Sequence, residues 1–184
     1  EKQVDIDNFI DYYCSQIYFA NTDWPGNNIK YWKSKNGKWR WFLHDTDLGF
    51  AFAPIWGHPG GLNHNTLRFA LNDSTTTNHN QPWSTLFFRK FLENKKFKQN
   101  FISKFYEHLN VTFQSVRVTN TIDSLADIIA PEIPGHINRW KNEADYLYQN
   151  IEEWKEELEV LRDFSKKRTE IVRSHLQKEF IEAL

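Results

Sequence analysis

Four polar side chains in the first part of the sequence could together form an oxygen-rich site. Asp23 and Asn28 bracket Trp24–Asn27, a segment whose Pro and Gly predict a tight loop. Asp45 and Asp47 lie in the run Asp-Thr-Asp-Leu-Gly, which follows an aromatic segment. Carboxylate and carboxamide oxygens are the ligands that suit Mg²⁺ or Ca²⁺. If the fold gathers three carboxylates and a carboxamide in one place, the sequence predicts a metal site there.

A β-hairpin is the element expected to bring the two acidic stretches together. Residues 29–35 and 38–44 are rich in aromatic side chains and flank Asn36-Gly37, a dipeptide typical of two-residue hairpin turns. The turn is expected to centre on this dipeptide, and Trp41 is expected to be a core residue of the second strand. Because a hairpin returns the chain to its starting end, the Asp-Thr-Asp run should lie near the first loop.

Most of the remaining sequence predicts helices, so the expected fold class is mainly α with a small β-hairpin. The apolar residues of Val4–Ala20 recur at three- and four-residue steps, and Asp5 or Asp7 is available as the N-cap. Further helices are expected at Pro82–Asn94 (apolar face Leu86, Phe87, Phe91 and Leu92), Lys95–Leu109, Val118–Ile129, His136–Lys141 and, as one helix or two, Glu143–Phe180. The charges of the last segment are interpreted as solvated faces rather than a partner-binding patch: Glu152, Glu153, Glu156, Glu157, Lys166, Lys167 and Arg168.

The stretch from Ala51 to Gln81 has little sustained periodicity. It is rich in Gly, Asn, Thr and His, and it is interpreted either as a substrate-facing loop or as a solvated connection. His58, His64 and His79 match no zinc-ligand spacing, so they are interpreted as ordinary loop histidines.

Length and composition limit the class of protein. The 184 residues suit one domain with a sizeable core, and the formal net charge of −1 gives no reason to expect a nucleic-acid partner. No apolar run is long enough to span a membrane. The aromatic content of 16% suggests an aromatic core more than a stacking surface, and the single Cys14 is expected to be a small buried apolar residue.

Two short motifs resemble the catalytic elements of protein kinases. The pair Asp23-x4-Asn28 has the spacing of the catalytic Asp and the metal-binding Asn of the kinase catalytic loop, and Asp47-Leu48-Gly49 resembles the kinase Asp-Phe-Gly motif. The wider pattern, NTDWPGNNIKYW followed by GKWRWFLHDTDLGFA, resembles the spore-coat protein H (CotH) kinase family. The resemblance continues through PWSTLFFRKFLENKKFKQNFISKFYEHLN, EIPGHINRW and FSKKRTEIVRSHLQKEF, so it covers nearly the whole chain.

The resemblance implies the C-terminal lobe of an atypical protein-kinase-like fold. It implies a parent protein that transfers the γ-phosphate of ATP to Ser or Thr of a protein substrate, with Mg²⁺ as the metal. Asp23 would then orient or deprotonate the attacking hydroxyl, while Asn28 and either Asp45 or Asp47 would hold the metal. The two acids stay open as alternatives, with Asp45 favoured and Asp47 near it. By resemblance, the location would be a bacterial spore coat, a cell surface or another extracytoplasmic site.

The sequence departs from a complete kinase before the catalytic-type loop. A kinase carries a Gly-rich loop and a phosphate-binding Lys there, and the residues that precede Asn21 hold neither in a suitable position. Residues 1–184 are therefore expected to form a single domain, from which the N-terminal nucleotide-covering lobe is absent. The chain begins at Glu1 without Met, so a fragment or mature portion is expected, and its compartment is not read from the sequence. The isolated chain is expected to fold but to transfer at most a trace of phosphate.

Two other functions remain open. One is a non-catalytic, pseudokinase-like interaction domain of a spore-coat or cell-surface protein, which would bind its partner through the Trp-rich hairpin and the charged last helix. The other is an extracellular module that binds Ca²⁺ or glycans through the oxygen-rich cluster and exposed aromatic residues. Replacing Asp23 would leave the first unaffected, and calcium-dependent sugar binding without an effect of ATP would support the second.

Overall fold

The computed structural model describes residues 2–51, 60–72, 80–143 and 149–181. Within these ranges the chain is mainly helical with one two-stranded antiparallel sheet, as the sequence predicts. In chain order the elements are α1 (Ile6–Phe19), β1 (Lys30–Trp32), β2 (Arg40–Phe42), α2 (Thr66–Leu71), α3 (Leu86–Leu92), α4 (Lys95–Asn110), α5 (Ser115–Ile129), a short 3-10 helix (Ala130–Glu132), α6 (Ile133–Trp140) and α7 (Ile151–Phe180). No helix of the described ranges is long and apolar enough to cross a membrane.

Helix α1 is the centre of the main core. Asp5 is its N-cap, because its carboxylate accepts a hydrogen bond from the Asn8 amide at 3.2 Å. Apolar residues lie on most sides of the helix, and Cys14 is fully buried among them, which confirms the interpretation of Cys14 as an apolar core residue. Aromatic rings from other elements pack on α1; Phe88 stacks on Tyr13 with ring centroids 4.2 Å apart. This packing anchors α1 in the core, and the loop that carries Asp23 follows the end of this helix.

The hairpin is shorter than expected, and its turn lies one residue earlier than predicted. Lys30 pairs with Phe42 and Trp32 with Arg40, but the turn is closed by the Gly37 amide donating to the Ser34 carbonyl at 3.1 Å. Its central residues are therefore Lys35 and Asn36. The prediction of a turn centred on Asn36-Gly37 is wrong, because neither residue adopts the positive φ that such a two-residue turn requires. A longer connection joins the strands instead.

The hairpin is attached to α1 mainly through Trp41. The Asn8 side chain accepts from the Trp41 amide at 2.7 Å and donates to the Trp41 carbonyl at 3.0 Å, and the Trp41 ring meets the edge of Phe9 at 4.8 Å. Trp41 is nevertheless only half-buried. The expectation of a full core residue is therefore met in part, because Trp41 packs on α1 and also lines a groove between α1, the hairpin and the start of α3.

Two predictions for the middle of the chain need correction. The region 51–81 contains the short helix α2, and Asn65 is its N-cap, because the Asn65 side chain accepts from the Arg68 amide at 2.9 Å. Its six residues are too few to produce a visible period in the sequence. In α3 the buried residue is Phe88, whereas Leu86 and Phe87 are exposed. Phe91 and Leu92 are half-buried against the core, so the predicted apolar face is confirmed at these two positions and wrong at the first two. His58 and His79 lie outside the described residues.

The second half of the chain follows the prediction more closely. Helix α4 buries Phe97, Phe101, Phe105 and Leu109, while Ile102 is half-buried. Helix α6 begins at Ile133, earlier than expected, because Pro134 is tolerated in the first turn of a helix. Over residues 149–181, which the structure describes, the last segment forms a single helix of 30 residues, and this helix starts later than the predicted Glu143.

Candidate functional site

The loop that carries Asp23 is fixed where it leaves α1. Ala20 ends the helix with a left-handed φ of 56°, and its amide donates to the carbonyls of Gln16 and Ile17. Asn21 is fully buried. Its side-chain Nδ2 donates to Gln16 Oε1 at 2.9 Å, and its side-chain Oδ1 accepts from the Asp23 backbone amide at 3.1 Å. These contacts set the direction of the backbone at Asp23 without using the Asp23 carboxylate.

The Asp23 carboxylate is held by two neighbouring carboxamides. Asn28 Nδ2 donates to Asp23 Oδ2 at 2.7 Å, and Asn27 Nδ2 lies 3.1 Å and 3.2 Å from the two carboxylate oxygens. Trp24, between them, is fully buried against Tyr13, with ring centroids 5.1 Å apart, and the Trp24–Pro25 peptide is cis. The loop therefore points its acidic and amide groups outward from a buried aromatic anchor, and it brings Asp23 and Asn28 together.

Asn28 has a backbone conformation that favours its residue type. Its φ is 52°, in the left-handed region, which Asn tolerates better than most residues that carry a Cβ. Because its Nδ2 donates to Asp23, its Oδ1 is the end of the amide that can accept or coordinate. This arrangement is suited to a metal ligand adjacent to an acidic side chain.

The Asp45–Gly49 turn is attached to the same end of α1. The Phe50 amide donates to the Phe19 carbonyl at 2.7 Å, and the Gly49 amide donates to the Thr46 carbonyl at 3.1 Å. A Cβ on Gly49 would lie 2.9 Å from the Phe19 carbonyl oxygen, so only glycine permits this close approach. Both halves of the predicted site are thus held at the last turn of α1, as the hairpin argument anticipated.

The side chains of the turn point to solvent. Asp45 has a φ of 52°, and both Asp45 and Asp47 are exposed, whereas Leu48 is buried. Among the residues that the structure describes, no group of three or more His, Cys, Asp or Glu side chains lies close enough to hold one metal ion. The three carboxylates of Asp23, Asp45 and Asp47 therefore do not form a single cluster. Mutual repulsion of like charges is a physical reason for such a separation.

Two cavities adjoin the predicted site residues. Asn28 lies on a groove of about 1030 Å³ between α1, the hairpin and the start of α3; half of its lining residues are aromatic, Tyr31, Trp41 and Trp83 among them. Asp47 lies on a second cavity of about 300 Å³ that also includes Glu157 of α7. The structure thus places Asn28 and Asp47 on different cavities.

His64 belongs to the packing around α7. Its Nδ1 lies 2.9 Å from Thr66 Oγ1. Burial, with a smaller contribution from the nearby positive charge of Arg168, lowers the pKa of His64 to about 4. The ring is therefore neutral at physiological pH.

Sequence reasoning missed Arg168. The run Lys166-Lys167-Arg168 was interpreted as a solvated face, but Arg168 is fully buried while both lysines are exposed. Helical spacing held the signal, because Arg168 lies four residues after Phe164 and four before Val172, both of which are buried. Asn21 and Asn27 were also missed as partners of Asp23; their type and position in a short polar loop could have indicated them.

Comparison with known proteins gives one clear result. A family model described as CotH kinase protein matches residues 1–172. No curated protein and no solved structure gives a significant match. The match includes the Asp23 loop, the hairpin, the Asp45–Gly49 turn and nearly all of α7. The chain belongs to the CotH kinase family.

Proposed function

We propose that this chain is the helical lobe of an atypical protein kinase, and that it works together with a nucleotide-covering lobe to transfer the γ-phosphate of ATP to Ser or Thr of a protein substrate. The observation that carries the proposal is the contact between Asn28 and Asp23 at 2.7 Å, within a loop whose spacing resembles the kinase catalytic loop. Membership of the CotH kinase family supports the same reaction class.

In this proposal Asp23 accepts the proton of the attacking hydroxyl. Its carboxylate is oriented by the amides of Asn27 and Asn28, and the buried Trp24 holds the loop in place. Orientation matters because most of the catalysis of phosphate transfer comes from positioning and charge stabilisation. Asp23 is accordingly assigned the catalytic role.

The residues proposed for Mg²⁺ are Asn28 and Asp45, with Asp47 as the alternative to Asp45. The donor types suit the ion, because they are carboxylate oxygens and a carboxamide oxygen turned away from Asp23. The exposed position of Asp45 and Asp47 leaves their carboxylates accessible to a metal–nucleotide complex from solvent. When bound, the ion would neutralise charge on the phosphates.

The groove beside Asn28 is proposed to take the nucleotide. Its volume of about 1030 Å³ is at the upper end of the range usual for small-molecule sites, and its aromatic walls suit a planar base. Lys30 lies on the same groove and supplies a positive charge next to Asn28.

Replacement of Asp23 by Asn in the complete two-lobed kinase tests the proposal. The change keeps the shape of the side chain and removes its ability to accept a proton, so phosphate transfer should fall by roughly 10²-fold or more, while binding of Mn²⁺·ATP stays close to that of the wild type. Asp7→Asn is the matched control, since Asp7 is an exposed acid in the first turn of α1. Unchanged transfer in Asp23→Asn would refute the catalytic assignment.

A non-catalytic interaction domain is the second candidate. It is favoured by the exposure of large aromatic side chains around the groove: Tyr31 is 57% exposed, Trp83 61% and Phe87 65%. If binding a protein is the function, Trp83→Ala should abolish partner binding, and Asp23→Asn should leave it unchanged.

A further inference from the structure

Arg168 of α7 has an unusual set of partners for a buried cation. Its side chain is fully buried, yet each of its main contacts is a backbone carbonyl and not a carboxylate. Nε donates to the Tyr18 carbonyl at 2.9 Å and Nη2 to the Ile17 carbonyl at 2.8 Å, and both carbonyls belong to the last turn of α1. Nη1 donates to the carbonyls of Leu62 at 2.7 Å and His64 at 2.9 Å. One guanidinium thus joins two segments that are far apart in the sequence.

The chemistry of the contact requires arginine. A planar guanidinium offers five donors in a fixed fork, and four carbonyls and the Thr66 hydroxyl, 3.4 Å from Nη2, meet that fork here. The last carbonyls of a helix carry a partial negative charge, which stabilises a cation placed beside them. Burial lowers the pKa of Arg168 to about 10, so the group stays charged at neutral pH.

The turn of α1 that Arg168 holds is the one to which both halves of the candidate site are attached. Immediately after it, Ala20 and Asn21 direct the backbone towards Asp23. The next carbonyl of the same turn, that of Phe19, accepts the Phe50 amide at the end of the Asp45–Gly49 turn. A shift of this helix end would therefore move both groups of site residues.

We propose that Arg168 is a positioning residue: by fixing the last turn of α1 against residues 62–66, it sets the placement of Asp23 relative to the Asp45–Gly49 turn. The functional effect of Arg168 rests on the proposed function, because the site that Arg168 positions is the one assigned to Mg²⁺ and phosphate transfer. Arg168 itself touches neither Asp23 nor the turn through the contacts described above; it acts through the backbone of α1.

Amide hydrogen exchange in the 184-residue chain tests the structural part of the proposal. Arg168→Lys keeps the charge and loses the fork, so exchange at the Phe50 amide and in residues 20–23 should speed up by at least about ten-fold relative to the rest of the core. Val172→Ala is the control, because Val172 is buried one turn further along α7 and lies outside this hydrogen-bonding group. It should speed exchange across the core without selecting these amides.

Binding of Mn²⁺, followed by its electron paramagnetic resonance signal, tests the functional part. Loss of a group that orients metal ligands typically weakens metal binding 10–100-fold, and that range is expected for Arg168→Lys, with no change for Val172→Ala. Wild-type affinity in Arg168→Lys would overturn the proposal. If the wild-type chain binds no Mn²⁺, the assigned metal site fails, and the exchange measurement alone decides whether Arg168 positions the helix end.

A milder variant covers the case in which Arg168→Lys does not fold. Thr66→Val preserves the shape of a fully buried side chain and removes the hydroxyl that contacts both Nη2 of Arg168 and Nδ1 of His64. Faster exchange at the Phe50 amide, which donates to the Phe19 carbonyl, should still be detected, by about three-fold. Exchange that changes only at residues 64–67 would show that the contact is local and would overturn the proposal.

Discussion

Substitutions at Asn28 should separate its side-chain contact from its backbone conformation. The side chain donates to Asp23 at 2.7 Å, and the backbone has a φ of 52°. Asn28→Gly removes the contact but accepts the conformation without strain. Asn28→Ala removes the contact and places a Cβ in a region that alanine rarely adopts.

The expected loss of stability is the sum of two contributions, the lost hydrogen bond to Asp23 and the left-handed backbone conformation. A hydrogen bond to a charged group contributes about 1.5–3 kcal/mol when fully buried, and both residues are half-buried, so about 1 kcal/mol is expected here. The left-handed conformation adds roughly 1 kcal/mol for alanine relative to glycine. The free energy of unfolding should therefore fall by about 1 kcal/mol in Asn28→Gly and by about 2 kcal/mol in Asn28→Ala.

Urea unfolding followed by circular dichroism measures these differences, and Mn²⁺ titration measures the loss of the amide oxygen. Both variants should bind Mn²⁺ at least about ten-fold more weakly, because both lose the same ligand. Asn27→Ala is the control: it removes a longer contact to Asp23 and has an ordinary φ, so both quantities should change little. If glycine destabilises the protein more than alanine does, the conformational argument is wrong. If Mn²⁺ affinity is unchanged in both variants, Asn28 is not a ligand.

Three further results are expected. Phe88→Ala should lower the free energy of unfolding by about 3–5 kcal/mol, whereas the exposed Phe87→Ala should change it by less than about 0.5 kcal/mol in chemical denaturation; equal effects would contradict the packing of α3. Asp45→Asn should weaken Mn²⁺ binding and cut phosphate transfer in the complete kinase by at least about 10²-fold without a large change in melting temperature, and full activity would transfer the metal role to Asp47. Burial lowers the pKa of His64 and of His175 to about 4, so the unfolded chain binds more protons than the folded one between that value and 6.5. Stability should therefore fall as the pH decreases through this window, and His64→Gln should reduce the slope of melting temperature against pH; an unchanged slope would show that His64 does not contribute.

The contact between Asp23 and Asn28 was accessible from the sequence because it depends on short-range features. Four residues separate them, and Pro25 and Gly26 force the loop to turn between them. The attachment of the Asp45–Gly49 turn to the same region was also predictable from the hairpin. The distances among the three carboxylates were not, because they depend on side-chain directions that hairpin topology does not define.

Predictions failed where long-range packing decided the outcome. The charged run around Arg168 favours an exposed helix face, although its spacing from Phe164 and Val172 indicates an inward position. The backbone carbonyls that accept from the buried guanidinium lie more than a hundred positions away, so the sequence does not identify them. Trp41 has the residue type of a core position, but its burial depends on how much of the sheet is covered. The turn at Lys35 and Asn36 shows the same limit on a smaller scale, since Asn-Gly favours one turn type without requiring it.

Helix α7 passes through two separate apolar clusters, and this has a consequence for how the protein opens. With 30 residues it is about 45 Å long. Trp154 near its start packs with Ala126, Ile133 and Ile137, whereas the part from Phe164 to Phe180 contributes to the main core around α1. The smaller cluster offers much less buried apolar surface, so its opening requires less free energy. One continuous helix therefore contains two cooperative units, and a fluorescent probe at Trp154 should report a transition at lower denaturant concentration than a probe at Trp24.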